Sequence, residues 1–353
     1  MELSCELGAV PLKLGESGMN HTSPLLSLQR VHKSFKAGRQ IVRVLQDISL
    51  DVAQGEIVCL VGESGCGKTT TGKIIAGLIA PSQGKVFFEG QDVSKLRGEA
   101  FRAYRRAVQI VHQDPYASLN PTQTLYRMLS FPLFRHRLVR NRDQARERVL
   151  ELLQLVDLTP PEDFIDKFPH QLSGGQRQRV SIARALTVNP RLIVADEPVS
   201  MVDVSIRVSL LNTLSELQRR LNLTFVFITH DLAVARYFAW EGRIAVMYLG
   251  RIVEIGSAPD VTAQPQHPYT RALIASLPEP DPELTRHKQR ISLRSEDIPS
   301  LLRIPSGCAF HPRCPWHVPN LCDVVLPELA PTEGRSLAAC HVTAKTATQT
   351  QHA

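Results

Sequence analysis

Apolar positions in the first third of this chain gather in short groups of strand length. Leu26 to Val31, Ile41 to Leu45 and Ile48 to Val52 mix β-branched or leucine residues with polar ones, which predicts strands. Ile57 to Val61 is apolar throughout, as in a strand buried on both faces, and it runs straight into a glycine-rich turn. A helix is predicted from Thr69 to Leu78, ended by Pro81 and Gly84, and an edge strand from Lys85 to Phe88 before the turn Glu89-Gly90. The period then changes. Ala145, Val149, Leu152, Leu153 and Val156 recur at spacings of three and four, which predicts a helix over Asp143 to Val156. Leu192 to Ala195 and Phe225 to Ile228 resume the buried sheet, and Arg243 to Met247 with Gly250 to Gly256 predicts a closing hairpin. The pattern is that of an α/β core interrupted by a helical insertion, without internal repeats.

This gives provisional boundaries. Residues 1–24 form a flexible tail, 25–262 the core with its insertion at about 114–188, and 263–345 a C-terminal extension. Pro265, Pro268, Pro278, Pro280 and Pro282 lie where the two join and predict a linker, since proline fixes its backbone angle and lacks a donor. The polar stretch 346–353 reads as a disordered tail.

Composition narrows the class only a little. The chain has 353 residues, 43% hydrophobic and 21% charged, as in ordinary globular proteins. No apolar run reaches membrane-spanning length, and the first residues, with Glu2, Glu6 and Glu16, lack the form of a secretion signal, so a cytoplasmic protein is expected. The net charge of +7 is partly concentrated between Arg135 and Arg148. Such a face suits solvent, anionic lipid or nucleic acid equally.

The chemistry begins where the first buried strand ends. Gly62-Glu63-Ser64-Gly65-Cys66-Gly67-Lys68-Thr69 has every fixed position of a phosphate-binding loop, with a strand before it and a helix after it, and with Thr70 it is the expected nucleotide-binding stretch. Its glycines let backbone N–H groups converge on phosphates at a helix N-terminus. Lys68 is expected to reach the outer phosphates and Thr69 to ligate Mg²⁺, while Cys66 reads as a small space-filler. Asp196-Glu197 ends a buried strand, placing one carboxylate for Mg²⁺ and a second to polarise water. His230 follows another strand and is a candidate to contact the terminal phosphate of ATP.

Leu172-Ser173-Gly174-Gly175-Gln176, twenty residues before the acidic pair, makes residues 26 to 262 resemble the ATPase subunit of an ATP-binding cassette transporter. The resemblance implies a P-loop NTPase core of the ABC type with an antiparallel β subdomain. It implies that Gln113 links Mg²⁺ to the helical insertion and that Ser173, Gly174, Gly175 and Gln176 bind ATP held by a second cassette. Asp203 would lie in the loop crossing that interface, where Met201-Val202 replaces the family's usual Ala-Leu. Phe35 matches the aromatic that stacks on adenine, although a phenylalanine in a strand more often enters a core.

Three further stretches resemble the oligopeptide and dipeptide importers, in particular their F-type subunit: Gln113 to Pro121, His267 to Leu273, and Gly307 to Pro315. That likeness implies ATP hydrolysis driving peptide uptake, at the cytoplasmic face of the plasma (inner) membrane. The implied partners are a second related ATPase in a heterodimer, two transmembrane permease subunits and an extracytoplasmic substrate-binding protein. Nickel and sugar importers share the architecture.

Of seven cysteines, Cys308, Cys314, Cys322 and Cys340 crowd the C-terminal extension. Four thiols in a reduced compartment suit a [4Fe–4S] cluster, a structural Zn²⁺ or free buried cysteines, with His311, His317 and His341 as further donors. The resemblance to peptide importers implies the cluster. The alternative function is a cassette ATPase acting on nucleic acid or the ribosome, but the coiled coil, paired CxxC modules or second cassette of those proteins do not occur here.

Overall fold

The computed structural model describes residues 23–277 and 291–343, and all statements below concern these. Pro278, Pro280 and Pro282 and both predicted tails, apart from residues 23 and 24, fall outside them. The elements run β1 (Leu26–Ala37), β2 (Gln40–Val52), β3 (Ile57–Val61), α1 (Lys68–Ile75), β4 (Gln83–Phe88), β5 (Gln91–Asp92), α2 (Gly98–Ala107) and β6 (Val108–Val111). The helical insertion follows as α3 (Pro115–Ser118), α4 (Leu125–Arg135), α5 (Arg142–Leu155), α6 (Glu162–Ile165) and α7 (Gly174–Leu186). Then come β7 (Leu192–Asp196), α8 (Val204–Leu221), β8 (Thr224–Thr229), α9 (Leu232–Phe238), β9 (Arg243–Tyr248) and β10 (Arg251–Ser257). The chain finishes with α10 (Ala258–Ala263), α11 (Pro268–Ala275), β11 (Ala330–Pro331) and β12 (Leu337–Ala338).

An antiparallel sheet of order β2-β1-β4-β5 packs beside a larger one of order β11-β12-β10-β9-β3-β8-β7-β6. In the larger sheet β9, β3, β8, β7 and β6 run parallel, which explains why their sequences are apolar without alternation: both faces are covered. Successive side chains still divide between two cores. Val58, Leu60, Val226 and Ile228 face the antiparallel subdomain and α1. Cys59, Val61, Phe225 and Phe227 face the helices that include α7, α8 and the insertion. Each phenylalanine so buried contributes about 2–3 kcal/mol.

The helices of the insertion other than α6 begin on side-chain caps. Asn141 accepts from the Gln144 N–H at the head of α5, whose Ala145, Val149, Leu152 and Leu153 are buried as the spacing predicted. Asp157 and Arg179 then fasten α5 to α7 and α8. Arg179 donates to Asp157 Oδ2 at 2.7 Å, the Val156 carbonyl at 2.6 Å, Thr213 Oγ1 at 3.0 Å and Ser209 Oγ at 2.9 Å.

Several local expectations change. Ile41 to Leu45 and Ile48 to Val52 belong to one strand, kinked where Asp47 takes a φ of +57°. The helix after the phosphate loop stops at Ile75 because Gly77 turns left-handed at φ +64°, before either breaker expected from the sequence. β4 is not an edge, since it pairs with β1 and β5. The hairpin β9–β10 does not close the sheet either, because β12 pairs with β10 beyond it. Pro265 and Pro268 do not loosen the chain: Pro268 opens α11, and His267 and Tyr269 are almost wholly buried.

Candidate functional site

β3 delivers the chain into the phosphate loop with no room for side chains at two points. A Cβ at Gly62 would lie 2.1 Å from the Met247 carbonyl oxygen, and one at Gly67, where φ is +107°, would lie 2.5 Å from Leu45 Cδ2. Lys68 is buried and its ammonium folds back on the loop, donating to the carbonyls of Gly62 at 2.6 Å and Glu63 at 2.9 Å. Cys66 is buried beside it. Burial outweighs the neighbouring ammonium and raises the thiol pKa, so Cys66 fills space as a neutral group.

Opposite the loop, Thr69 Oγ1 donates to Asp196 Oδ1 at 3.0 Å. Burial is the main cause that lifts the Asp196 pKa; the Thr69 hydrogen bond opposes it and the charge of Glu197 adds to it. The next residue, Glu197, takes a left-handed φ of +47° and donates its N–H to the Ile228 carbonyl at 2.9 Å. That turn aims its carboxylate at two partners. Gln113 Nε2 lies 3.1 Å from Oε2, and His230 Nδ1 lies 3.1 Å from Oε1. Lys68, Thr69, Gln113, Asp196, Glu197 and His230 therefore share one site at the ends of β3, β6, β7 and β8.

The remaining residues expected at the nucleotide lie elsewhere, and all but the buried Gly175 are at least partly exposed. Ser173 caps α7: its Oγ accepts from the Gln176 N–H, and Gln176 Oε1 accepts from the Ser173 N–H at 2.9 Å. This reciprocal cap is worth about 1 kcal/mol. No hydrogen bond of either residue reaches the phosphate loop. Gly175 allows α7 to approach Ile206, since a Cβ there would meet Ile206 Cγ2 at 2.6 Å. Asp203 starts α8, flanked by exposed Met201 and Val204. Phe35 stays out of the core: it is 41% exposed near the tip of β1, with Lys33 Nζ 5.1 Å from its ring centre. Phe35, Ser173 and Asp203 are thus exposed, and Gly174 and Gln176 are partly so.

The C-terminal cysteines collect in one lobe as unpaired thiols. Burial first, then the nearby Cys340, Cys314 and Cys322 sulfurs, push Cys308 up to about 12, against a hydrogen bond from the Phe310 N–H. Cys314, likewise buried and close to Cys340 and Cys322, is pushed up to about 11 despite the Trp316 N–H. Val318 N–H also points at Cys322 Sγ, at 3.5 Å. Among the described residues, however, no three His, Cys, Asp or Glu side chains are grouped so as to hold a metal ion. The sulfurs are neighbours but not grouped as a donor set, so the arrangement supports neither the [4Fe–4S] cluster nor the Zn²⁺ alternative over free thiols.

Sequence reading assigned nothing to two residues that touch the phosphate loop. Tyr269 Oη accepts from the Glu63 N–H at 2.9 Å, and Arg313 Nη1 lies 3.0 and 3.1 Å from the two Glu63 carboxylate oxygens. Tyr269 lay inside a quoted motif without a role, and no local spacing points from Arg313 to Glu63.

Comparison with known proteins agrees with this geometry. Residues 45–200 match the ABC transporter family, and residues 253–322 match the family described as oligopeptide/dipeptide transporter, C-terminal region. A Brucella ovis protein named as a peptide import ATP-binding protein is 44% identical over 318 residues, 90% of this chain and 98% of that one. The oligopeptide transport ATP-binding protein AppF of Bacillus subtilis is 43% identical over 302 residues, covering 85% and 90%. Among solved structures, a dimeric ATP-binding cassette in a post-hydrolysis state with ADP and Pi matches with TM-score 0.60 at 33% identity, over 66% of this chain and 98% of that chain. A Clostridium perfringens protein described as part of an ABC transporter complex matches with TM-score 0.61 at 27% identity, over 69% and 92%.

Proposed function

The chain belongs to the ABC transporter ATPases and carries the C-terminal region of oligopeptide/dipeptide transporters, and on that premise we propose that it is the ATP-hydrolysing subunit of a peptide importer. One observation carries the catalytic part: the Glu197 carboxylate, held between Gln113 and His230, stands beside the Thr69–Asp196 pair at the phosphate loop.

In this reading the loop amides and Lys68 bind the phosphates of ATP, and Phe35 stacks on adenine. Ser173 to Gln176 and Asp203 of a second cassette close the site head to tail. Glu197 takes a proton from the water whose oxygen bonds to the γ-phosphorus. The bond from that phosphorus to the ADP oxygen breaks, and ADP and phosphate leave. His230 and Gln113 fix the carboxylate direction, so that catalysis is chiefly positioning. A Mg²⁺ held by Thr69, Asp196 and Gln113 would neutralise phosphate charge. Gln113, at the entrance to the helical insertion, passes closure on to permease subunits, with a substrate-binding protein delivering the peptide outside.

No helix among the described residues is long and apolar enough to cross a membrane. The peptide-import names of the relatives support docking on permeases, and we put the chain at the cytoplasmic face of the plasma (inner) membrane. We assign it the F-type place in a heterodimer with a related ATPase. We also retain a [4Fe–4S] cluster at Cys308, Cys314, Cys322 and Cys340 as a structural group. Its support is the family likeness and the gathering of buried sulfurs with backbone N–H donors, although the side chains are not grouped as a donor set. No step of hydrolysis runs through it. The transport names of the relatives leave the nucleic-acid reading without support.

The test is uptake of a labelled tripeptide and pentapeptide by cells in which this chain is replaced by Glu197→Gln. Loss of uptake of either peptide is expected; unchanged uptake of both would overturn the assignment. Light scattering of Glu197→Gln with ATP addresses the pairing: a monomer alone that dimerises only with a second ATPase supports the heterodimer, and a stable homodimer refutes it.

A further inference from the structure

The phosphate loop is gripped from behind by residues far away in the chain. Gly250, in the β9–β10 turn, donates its N–H to the Cys66 carbonyl at 2.9 Å, and the Tyr269 hydroxyl accepts from the Glu63 N–H at 2.9 Å. The third grip comes from the cysteine lobe. Arg313 places Nη1 3.0 and 3.1 Å from the two oxygens of the Glu63 carboxylate. The arginine side chain is only 7% exposed and the glutamate 22%. Tyr248 Oη, at 3.4 Å, and the ring of Phe310 enclose the guanidinium. The lobe fixes Arg313 in turn, since its N–H bonds to the Phe310 carbonyl at 3.0 Å and its carbonyl receives the Arg294 N–H at 3.1 Å.

Glu63 is an awkward residue for its place. It is an acid in the loop that binds an anion, and the Lys68 ammonium touches its backbone carbonyl, not its carboxylate. Unopposed, its charge repels a triphosphate, and the repulsion is strong where water is sparse. We propose that Arg313 is a positioning residue of the nucleotide site: it cancels the Glu63 charge beside the phosphates, making the cysteine lobe a part of ATP binding. This rests on the reading that Gly62 to Thr69 holds ATP.

Equilibrium titration of the full chain with a fluorescent ATP analogue tests it, with Lys68→Ala as the control for the underlying reading. Arg313→Gln is expected to weaken binding about tenfold, with kcat changed less than KM, and Arg313→Lys to stay within about threefold of the wild type. Adding Glu63→Gln to Arg313→Gln is expected to restore affinity to within about threefold, a recovery that a merely structural arginine would not show. Glu63→Gln alone is expected to tighten ATP about threefold by leaving the guanidinium charge beside the phosphates. Wild-type affinity in Arg313→Gln, no recovery in the double variant, or weaker binding in Glu63→Gln overturns the proposal. If Lys68→Ala also binds ATP normally, the nucleotide reading itself falls. If Lys68→Ala abolishes binding while Arg313→Gln binds as the wild type does, only the role of Arg313 falls.

Discussion

His230 Nδ1 stands 3.1 Å from Glu197 Oε1 because β7 and β8 are parallel neighbours that end together, with Asp196 opposite Ile228. Glu197 is left with a carboxylate aimed outward from a left-handed backbone. Glu197→Gln keeps the shape and the hydrogen-bonding reach but removes the base. Its kcat is expected to fall at least about a hundredfold while ATP affinity holds, measured as phosphate release beside nucleotide titration.

His230→Ala leaves the base in place without one of its two guides. The expected loss is about a hundredfold in kcat with KM within a few fold, because a misdirected group fails in the transition state more than in binding. Steady-state kinetics at several MgATP concentrations separates the two. An increase confined to KM would place His230 in ground-state binding.

Arg179 supplies four hydrogen bonds where α5, α7 and α8 meet. Arg179→Met strands the Val156 carbonyl and loosens the insertion, at a cost of about 2–3 kcal/mol. Denaturant unfolding should show it as a lower midpoint at unchanged slope. Burial of Asp157 is outweighed by its bonds to Thr213 and Arg179, which hold its pKa low, so this tie is present near neutrality and is lost as acid protonates the carboxylate.

His267 gives a separate acid response. It is fully buried, caps α11 by accepting from the Tyr269 N–H at 3.1 Å, and burial lowers its pKa from 6.5 to about 3. Below 6.5 the unfolded chain takes up a proton that the folded chain refuses, so its contribution to stability is present above that value and is lost as pH falls toward 3. His267→Asn keeps a capping oxygen without the titration. Between about pH 7.5 and 5 its Tm should fall less than that of the wild type.

What the chain shows on reading is what short-range physics decides. Gly62, Gly67 and Lys68 sit in a loop whose demands are local, and Asp196 and Glu197 follow a strand buried on both faces, so spacing alone locates them. The continuous β2 was read as two pieces because a left-handed Asp47 breaks the alternation without breaking the ladder. α2 went unread since a single residue, Tyr104, is buried in it. The pairing of Arg313 with Glu63 spans 250 positions and leaves no periodic trace. Glu197 and His230 were legible from the strands that precede them, whereas Gln113 came only through family likeness; three separate strands bring the three together.

The late strand β12 has a consequence for how the molecule is made. β10 leaves the site of synthesis with its outer edge open, and the partners of Glu254 and Ile255 on that edge, Ala338 and Leu337, are translated only after Cys308, Cys314 and Cys322 of the cysteine lobe. Glu254 must wait equally long for Ser336, whose hydroxyl bonds it at 3.0 Å. The nascent nucleotide core therefore carries an unsealed sheet edge until β12 emerges, a surface suited to a chaperone or to a mispaired neighbour.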